Sequence, residues 1–289
     1  MTDQIRLLLA DVDGTLVTSA KTLTERTRRA VHELRGAGVE LAITTGRPPR
    51  GVRMLIEPLG LTTPIAAFNG GLIVDPQLRP IRSWSLPPDV AAEVIELIEH
   101  HGLDVWVYSD SEWVVRNPDS PRVRIESATV QFTPKVAPNL DEVVTRAVKI
   151  VGTSEDHQAV LRCEADARRR CGHHISLGRS QPYYLDVTHP RANKGAALLE
   201  LSELLHVPTA SIATVGDMPT DVLMFARSGL SVAMGNASAD VQRCARHVTT
   251  SNDDEGFAHA VEWYLLGKPL QNQPSLARPT QGPTPWQHS

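Results

Sequence analysis

The chain has little cysteine, little excess charge and no long apolar run. Only three cysteines occur in 289 residues, Cys163, Cys171 and Cys244, an odd number without C-x-x-C spacing. That pattern excludes a disulfide framework and fits reduced thiols in a cytosolic protein. Cys163 and Cys171 stand near His173 and His174, but their spacing matches no standard zinc pattern. A helix ending at Gly172 with two unrelated buried thiols is expected instead. Net charge is only -4, so there is no basic field to hold nucleic acid and no polybasic stretch to hold an anionic membrane surface. The N-terminal apolar run is short and ends in two acids, unlike a secretory signal, and no stretch is long enough to span a bilayer. A cytoplasmic location, without nucleic-acid or membrane partners, is therefore expected. The oligomeric state does not follow from the sequence.

What is present is an alternation of apolar strands and amphipathic helices at both ends of the chain, the pattern of a parallel sheet covered on both faces. The length suggests about two domains. Strand one runs to Ala10. A helix follows from Thr22, with Thr22 and Glu25 as a capping box and Gly36 or Gly38 as its stop. Strands Val39 to Thr44 and Ile65 to Phe68 come next. Late in the chain the pattern resumes with a helix Gly195 to Leu205, a strand Ser211 to Val215, a helix opened by Pro219, and short strands Leu230 to Met234 and His247 to Thr250. The middle reads differently, with helices Pro88 to His101 and Glu155 to Arg170, hairpin-like segments Asp104 to Tyr108 and Glu112 to Arg116, and strands Ala147 to Val151 and Tyr183 to Val187. The expected fold is α/β: a doubly wound, Rossmann-like parallel-sheet core over residues 1–80 and 190–267, with an inserted α+β domain over 81–189. Residues 268–289, rich in proline and glutamine, are expected to form a flexible tail.

Chemistry is expected where strand one breaks into Asp11-Val12-Asp13-Gly14-Thr15-Leu16. Two carboxylates one residue apart at the end of a buried strand are costly unless a cation or a hydrogen-bond network offsets them. Open parallel sheets bind ligands beyond the carboxyl ends of their strands, and Asp11, Thr45 and Asp217 each lie at such an end. Asp221 and Lys194 join them. Four acids repel an anion, yet Lys194, the Thr45 hydroxyl and the amides at Gly46 suit a phosphate. A hard divalent cation, Mg2+, reconciles the two. An aspartate oxygen could then attack phosphorus while a neighbouring acid manages the leaving group's proton. A dinucleotide oxidoreductase is disfavoured, because strand one runs into acids where a glycine-rich loop would be needed.

Asp11-Val12-Asp13-Gly14-Thr15-Leu16, Thr45-Gly46-Arg47-Pro48, Asn193-Lys194-Gly195 and Gly216-Asp217-Met218-Pro219-Thr220-Asp221 resemble, in order and spacing, the four motifs of the haloacid dehalogenase superfamily, specifically its Cof-type phosphatases. Asn69-Gly70-Gly71 and Val232-Ala233-Met234-Gly235-Asn236-Ala237 also resemble segments of that subgroup. The resemblance implies Asp11 as nucleophile and Mg2+ ligand, and Asp13 as general acid/base with its carbonyl on the metal. It implies Thr45 and Lys194 on the phosphoryl oxygens, Asp217 as a metal ligand, and Asp221 orienting the metal's waters. Gly46, Arg47, Asn69, Gly70 and Asn193 are further candidates for binding substrate. The insert would be a type IIB cap that sets leaving-group specificity, and Tyr183, Tyr184, Asp186 and His189 could line its pocket. The expected substrate is a small phosphorylated metabolite such as a sugar phosphate, cofactor or nucleotide.

Phosphotransfer between sugars, as in mutases of that superfamily, stays open. A phosphoaspartate receiver module is disfavoured by the length of the chain and by the acid beside Asp11. The family usually has Asn where this chain has Thr220, a shorter hydroxyl for an amide. Thr220→Asn should therefore leave Mg2+-dependent turnover intact or raise it, and a collapse of phosphate release would contradict this placement of the motif.

Overall fold

The computed structural model describes residues 4–110 and 112–269. In chain order it begins with β1 (Leu7–Ala10), α1 (Glu25–Gly36), β2 (Glu40–Thr44), α2 (Arg53–Leu59), β3 (Ile65–Ala67), β4 (Leu72–Val74) and β5 (Pro80–Ser83). Next come α3 (Pro88–His100), β6 (Asp104–Tyr108), β7 (Trp113–Val115), α4 (Pro121–Val130), β8 (Lys135–Val136), α5 (Asp141–Val144), β9 (Lys149–Thr153), α6 (His157–Cys171), β10 (Ser176–Gln181) and β11 (Tyr184–Thr188). The last part holds α7 (Lys194–Leu205), β12 (Ile212–Gly216), α8 (Val222–Phe225), β13 (Leu230–Ala233), α9 (Ala239–Cys244), β14 (His247–Val248) and α10 (Gly256–Ala260). Thr45–Met54 and Ile65–Asn193 form one compact unit, and the other described residues form a second. The proline- and glutamine-rich stretch lies outside the described residues from position 270 on.

The unit built from the two chain ends carries the strands β14-β13-β12-β1-β2 side by side, every pair parallel. β1 is buried at all four positions, which is why it reads as an unbroken apolar run rather than an alternation. α1 turns Thr27, Ala30, Val31 and Leu34 inward. Its start differs from the expected capping box. Thr24, not Thr22, is the N-cap, accepting from the Thr27 N–H, because the Thr24 hydroxyl also donates to Glu255 at 2.7 Å and is anchored from outside the helix. Pro219 opens a single 3-10 turn, Pro219–Asp221, before α8.

The other unit contains a three-stranded antiparallel meander, β3-β4-β5. It also contains a six-stranded sheet in the order β10-β11-β9-β6-β7-β8, antiparallel throughout except for β7 with β8. Side chains alternate between its faces. Val105, Val107, Ile150, Leu185 and Val187 point to the face where α3 and α6 bring Val94, Ile98, Val160 and Cys163 into one apolar core. Cys163 and Cys171 are buried and unbridged, and burial pushes the Cys163 thiol up to about 12, as expected of structural thiols. His101 caps α3 and meets Asp166 of α6 at 3.0 Å. The expected strand Ala147 to Val151 lies two residues later. The sequence shows no periodic element between Arg116 and Ala147, where α4, β8 and α5 occur, because α4 lacks an apolar stripe, burying only Val123 and Val130.

No helix among the described residues is long and apolar enough to cross a membrane. The turn into β13 sets a tight steric test. The Gly229 N–H is shared between the Thr209 and Ile212 carbonyls, and a Cβ at Gly229 would sit 1.9 Å from the Ala210 carbonyl oxygen. Gly229→Ala should cost about 2 kcal/mol or more through backbone displacement, read as a lower denaturation midpoint. An unchanged midpoint would refute the close approach.

Candidate active site

Parallel pairing brings the first two acids together. Ala10 is in register with Val215, and the Asp11 N–H donates to the Val215 carbonyl at 3.0 Å, so Asp11 and Asp217 leave neighbouring strands at the same edge. Gly14 permits the fit: its φ is +78°, and a Cβ there would lie 2.3 Å from Asp217 Oδ2. Thr15 Oγ1 donates to Asp217 Oδ1 at 3.1 Å.

Lys194, the first residue of α7, places its ammonium 2.7 Å from Asp11 Oδ1 and 2.6 Å from Asp221 Oδ1. The other oxygen of Asp221 accepts from the N–H groups of Asp217 and Met218, at 2.9 and 2.8 Å. Asp221 is fully buried and satisfied on both oxygens. Thr220 beside it is exposed. Asp13 stands apart from this group, half-exposed, with its carboxylate 2.7 Å from Lys21 Nζ.

Three carboxylates face one ammonium. Burial raises the Asp11 carboxyl well above its ordinary range, and repulsion from Asp221 and Asp217 adds to this beyond what Lys194 recovers. Burial alone would depress the Lys194 ammonium, but Asp11 and Asp221 outweigh it and hold it protonated. Burial and the charge of Asp221 push Asp217 up to about 6. One oxygen from each of Asp11, Asp217 and Asp221 lies within 4.8 Å of the others. An all-carboxylate set in negative excess is the donor chemistry of a hard divalent cation, so these residues fit a metal ion.

Apart from Lys194, the expected phosphate-binding residues lie in the other unit. Thr45 is buried and directly follows β2, donating its N–H to the Ala66 carbonyl at 2.9 Å and accepting from the Asn69 N–H at 2.7 Å. Its hydroxyl accepts from the Arg47 N–H at 3.1 Å, and Arg47 Nη1 donates to the Gly51 carbonyl at 3.0 Å. Asn69 and Gly70 both have positive φ, 57° and 96°, turning the chain back toward Gly46. Asn193 donates from Nδ2 to the Pro190 carbonyl. Tyr184 and Asp186 share one sheet face, whereas Tyr183 lies under Arg122 and His189 stacks on Trp84.

Asn236 is a site residue that the motif reading did not assign. Its Nδ2 donates to the Gly14 carbonyl at 3.0 Å and to Asp217 Oδ2 at 3.3 Å, tying the loop after β13 to both acidic strands. The signal was present as Gly235-Asn236 just past a parallel strand end.

A family model described as haloacid dehalogenase-like hydrolase matches residues 8–261. The chain belongs to that family. A 5-amino-6-(5-phospho-D-ribitylamino)uracil phosphatase of Bacillus subtilis is 29% identical over 274 residues, covering 90% of this chain and 97% of its own. An HMP-PP phosphatase of Cronobacter sakazakii is 30% identical over 232 residues, 80% of this chain and 85% of its own. The crystal structure of a haloacid dehalogenase-like hydrolase from Bacteroides thetaiotaomicron matches with a TM-score of 0.82 at 26% identity, covering 90% of this chain and 99% of that one. This haloacid dehalogenase-like chain is thus an α/β hydrolase of the phosphatase kind.

The raised Asp217 value has a definite sign. An acid whose folded pKa of about 6 exceeds its ordinary value of about 4 destabilises the fold when ionised, so stability from this group is lost as pH rises through that window. A bound cation reverses the penalty. Mg2+ should therefore raise the melting temperature clearly at pH 8 and much less at pH 5. An equal rise at both pH values would remove Asp217 from the metal group.

Proposed function

We propose that the chain is a Mg2+-dependent phosphatase of small phosphorylated metabolites, working through an aspartyl-phosphate on Asp11. The observation that carries this reading is the Lys194 ammonium between Asp11 and Asp221, with Asp217 alongside. A buried carboxylate held by a lysine at the open end of a parallel sheet is an oriented nucleophile, and the positive charge beside it suits incoming phosphoryl oxygens. Asp11 and Asp217, with the carbonyl of Asp13, would hold the ion, which supplies charge neutralisation and orientation of the phosphoryl group.

The remaining work falls to the chain's own groups. An Asp11 oxygen forms a bond to phosphorus as the ester P–O bond breaks, and Asp13 delivers its proton to the departing oxygen. Asp13, now a carboxylate, takes a proton from water, whose oxygen attacks phosphorus and releases inorganic phosphate with Asp11 restored. Asp13 must part from Lys21 to do this, and its half-exposed position permits it. Asp221 acts as a positioning residue, since both its oxygens are committed to Lys194 and to two backbone amides. Thr45, the Gly46 amide and Arg47 receive the phosphoryl oxygens, with Asn69 and Gly70 shaping that turn and Asn193 as a further candidate for binding substrate.

Phosphate release from a panel of esters, with and without EDTA, tests the class of reaction. Asp11→Asn should lower turnover at least about a thousandfold, since it removes the nucleophile and keeps the shape. Activity within a few fold of wild type, or turnover indifferent to EDTA, would overturn the reading.

A further inference from the structure

Asp217 differs from the other two acids of the cluster in what holds it. Asp11 and Asp221 each meet the Lys194 ammonium. The two oxygens of Asp217 are met by neutral donors instead, Oδ1 by the Thr15 hydroxyl at 3.1 Å and Oδ2 by the Asn236 amide at 3.3 Å. A neutral donor orients a carboxylate and leaves its charge in place.

The amide of Asn236 is itself fixed by groups of set polarity. Its Oδ1 accepts from the Asn252 N–H at 3.0 Å, and its Nδ2 donates to the Gly14 carbonyl at 3.0 Å as well as to Asp217. A backbone donor on one side and a backbone acceptor on the other allow the amide one orientation, with Nδ2 toward Asp217. Asn252 is buried and donates from its own side chain to the Val17 carbonyl at 3.1 Å. Its neighbour Asp253 accepts from the Ser19 N–H and hydroxyl at 2.8 and 2.7 Å. The turn after β14 therefore grips the loop that follows β1 at Val17 and Ser19, and reaches Asp217 through Asn236.

We infer that Asn236, set by Asn252, is a positioning residue that keeps Asp217 to coordination through one oxygen and thereby favours Mg2+ over Ca2+. The inference rests on the cation site of the phosphatase reading above and adds what selects the ion. Mg2+ demands a near-ideal octahedron with ligands at about 2.0–2.1 Å, whereas Ca2+ accepts longer, irregular contacts and takes a carboxylate through one oxygen or both. With Oδ1 tied to Thr15 and Oδ2 tied to Asn236, the Asp217 carboxylate cannot turn to present both oxygens to one ion. Removing the Asn236 amide frees Oδ2 for such chelation. The larger ion accepts that change, and the tight octahedron does not.

Calorimetric titration of the metal-free full chain with magnesium chloride and, separately, calcium chloride tests this without turnover, at pH 8 where Asp217 is ionised. Asn236→Ala should weaken Mg2+ binding about tenfold, the lower end of what groups orienting a metal ligand contribute. Ca2+ binding should stay within about twofold, because its coordination is flexible. Asn252→Ala, which removes no contact to Asp217, should shift the ratio of the two affinities in the same sense and by less. Asn236 is exposed, so the metal-free Asn236→Ala protein should melt close to wild type. An equal loss for both ions, an unchanged Mg2+ affinity, or a ratio that Asn252→Ala does not move would overturn the inference. Acetyl phosphate turnover, measured alongside, separates the two readings. Wild-type protein that binds neither ion and does not hydrolyse the ester would sink both, whereas Mg2+-dependent hydrolysis with the wild-type ratio kept in Asn236→Ala would sink this inference alone.

Discussion

A single ammonium serving three buried carboxylates is the constraint around which the sheet-core unit is arranged. Removing an ion from water costs several kcal/mol even after relaxation, so Asp11, Asp217 and Asp221 persist together only because fixed groups meet nearly every oxygen. Those groups are mostly backbone or backbone-anchored: amides at Asp217 and Met218, the Thr15 hydroxyl, and Lys194 at the head of α7. Glycines keep the space open. A Cβ at Gly216 would come within 2.4 Å of the Asp221 carboxyl carbon, as one at Gly14 would meet Asp217. What stays uncompensated is a surplus of negative charge at the rim, and that surplus is what a divalent cation is suited to answer.

Much of this was legible in the sequence because parallel sheets make strand ends converge. An apolar run followed at once by an acid identifies both a strand and its active edge, as at Ala10-Asp11 and Gly216-Asp217. Burial on two faces also removes the alternation that would confuse strand with surface. Other parts were not legible, for identifiable reasons. The N-cap of α1 lies at Thr24, whose hydroxyl is anchored by donating to Glu255, more than two hundred residues away. Asn236 escaped assignment because its role is to bridge two loops, and nothing local distinguishes a bridging asparagine from a turn former. The segment before β9 hid α4 because a helix packed by a few scattered residues such as Val123 and Val130 shows no stripe. The place of Asp221 in the sequence marked it for the site, but not that both its oxygens would be occupied.

The inserted unit shows the same principle with opposite chemistry on its two sides. Along β6, β9 and β11, odd and even positions part company. Val105, Val107, Ile150, Leu185 and Val187 close a hydrocarbon core against two helices, while Trp106, Tyr108, Lys149, Thr153, Tyr184 and Asp186 put rings, hydroxyl and charge on the reverse. An apolar core and a polar, aromatic face are thus carried by the same strands through alternate residues, and a shift of one position in register would exchange them.

The pairing of β1 with β12 carries a consequence for how the molecule comes into being. The second strand to leave the ribosome, β2, lies against β1, but the partner on the other side of β1 is more than two hundred residues downstream. During most of translation a fully apolar strand therefore has one unpaired edge, and Asp11 beside it has neither its lysine nor its neighbouring acids. The whole inserted unit is synthesised in that interval. Closure of the long loop between the two strands is entropically slow, so the cluster of Asp11, Lys194, Asp217 and Asp221 is completed as one of the last events of folding, after the inserted unit has been synthesised.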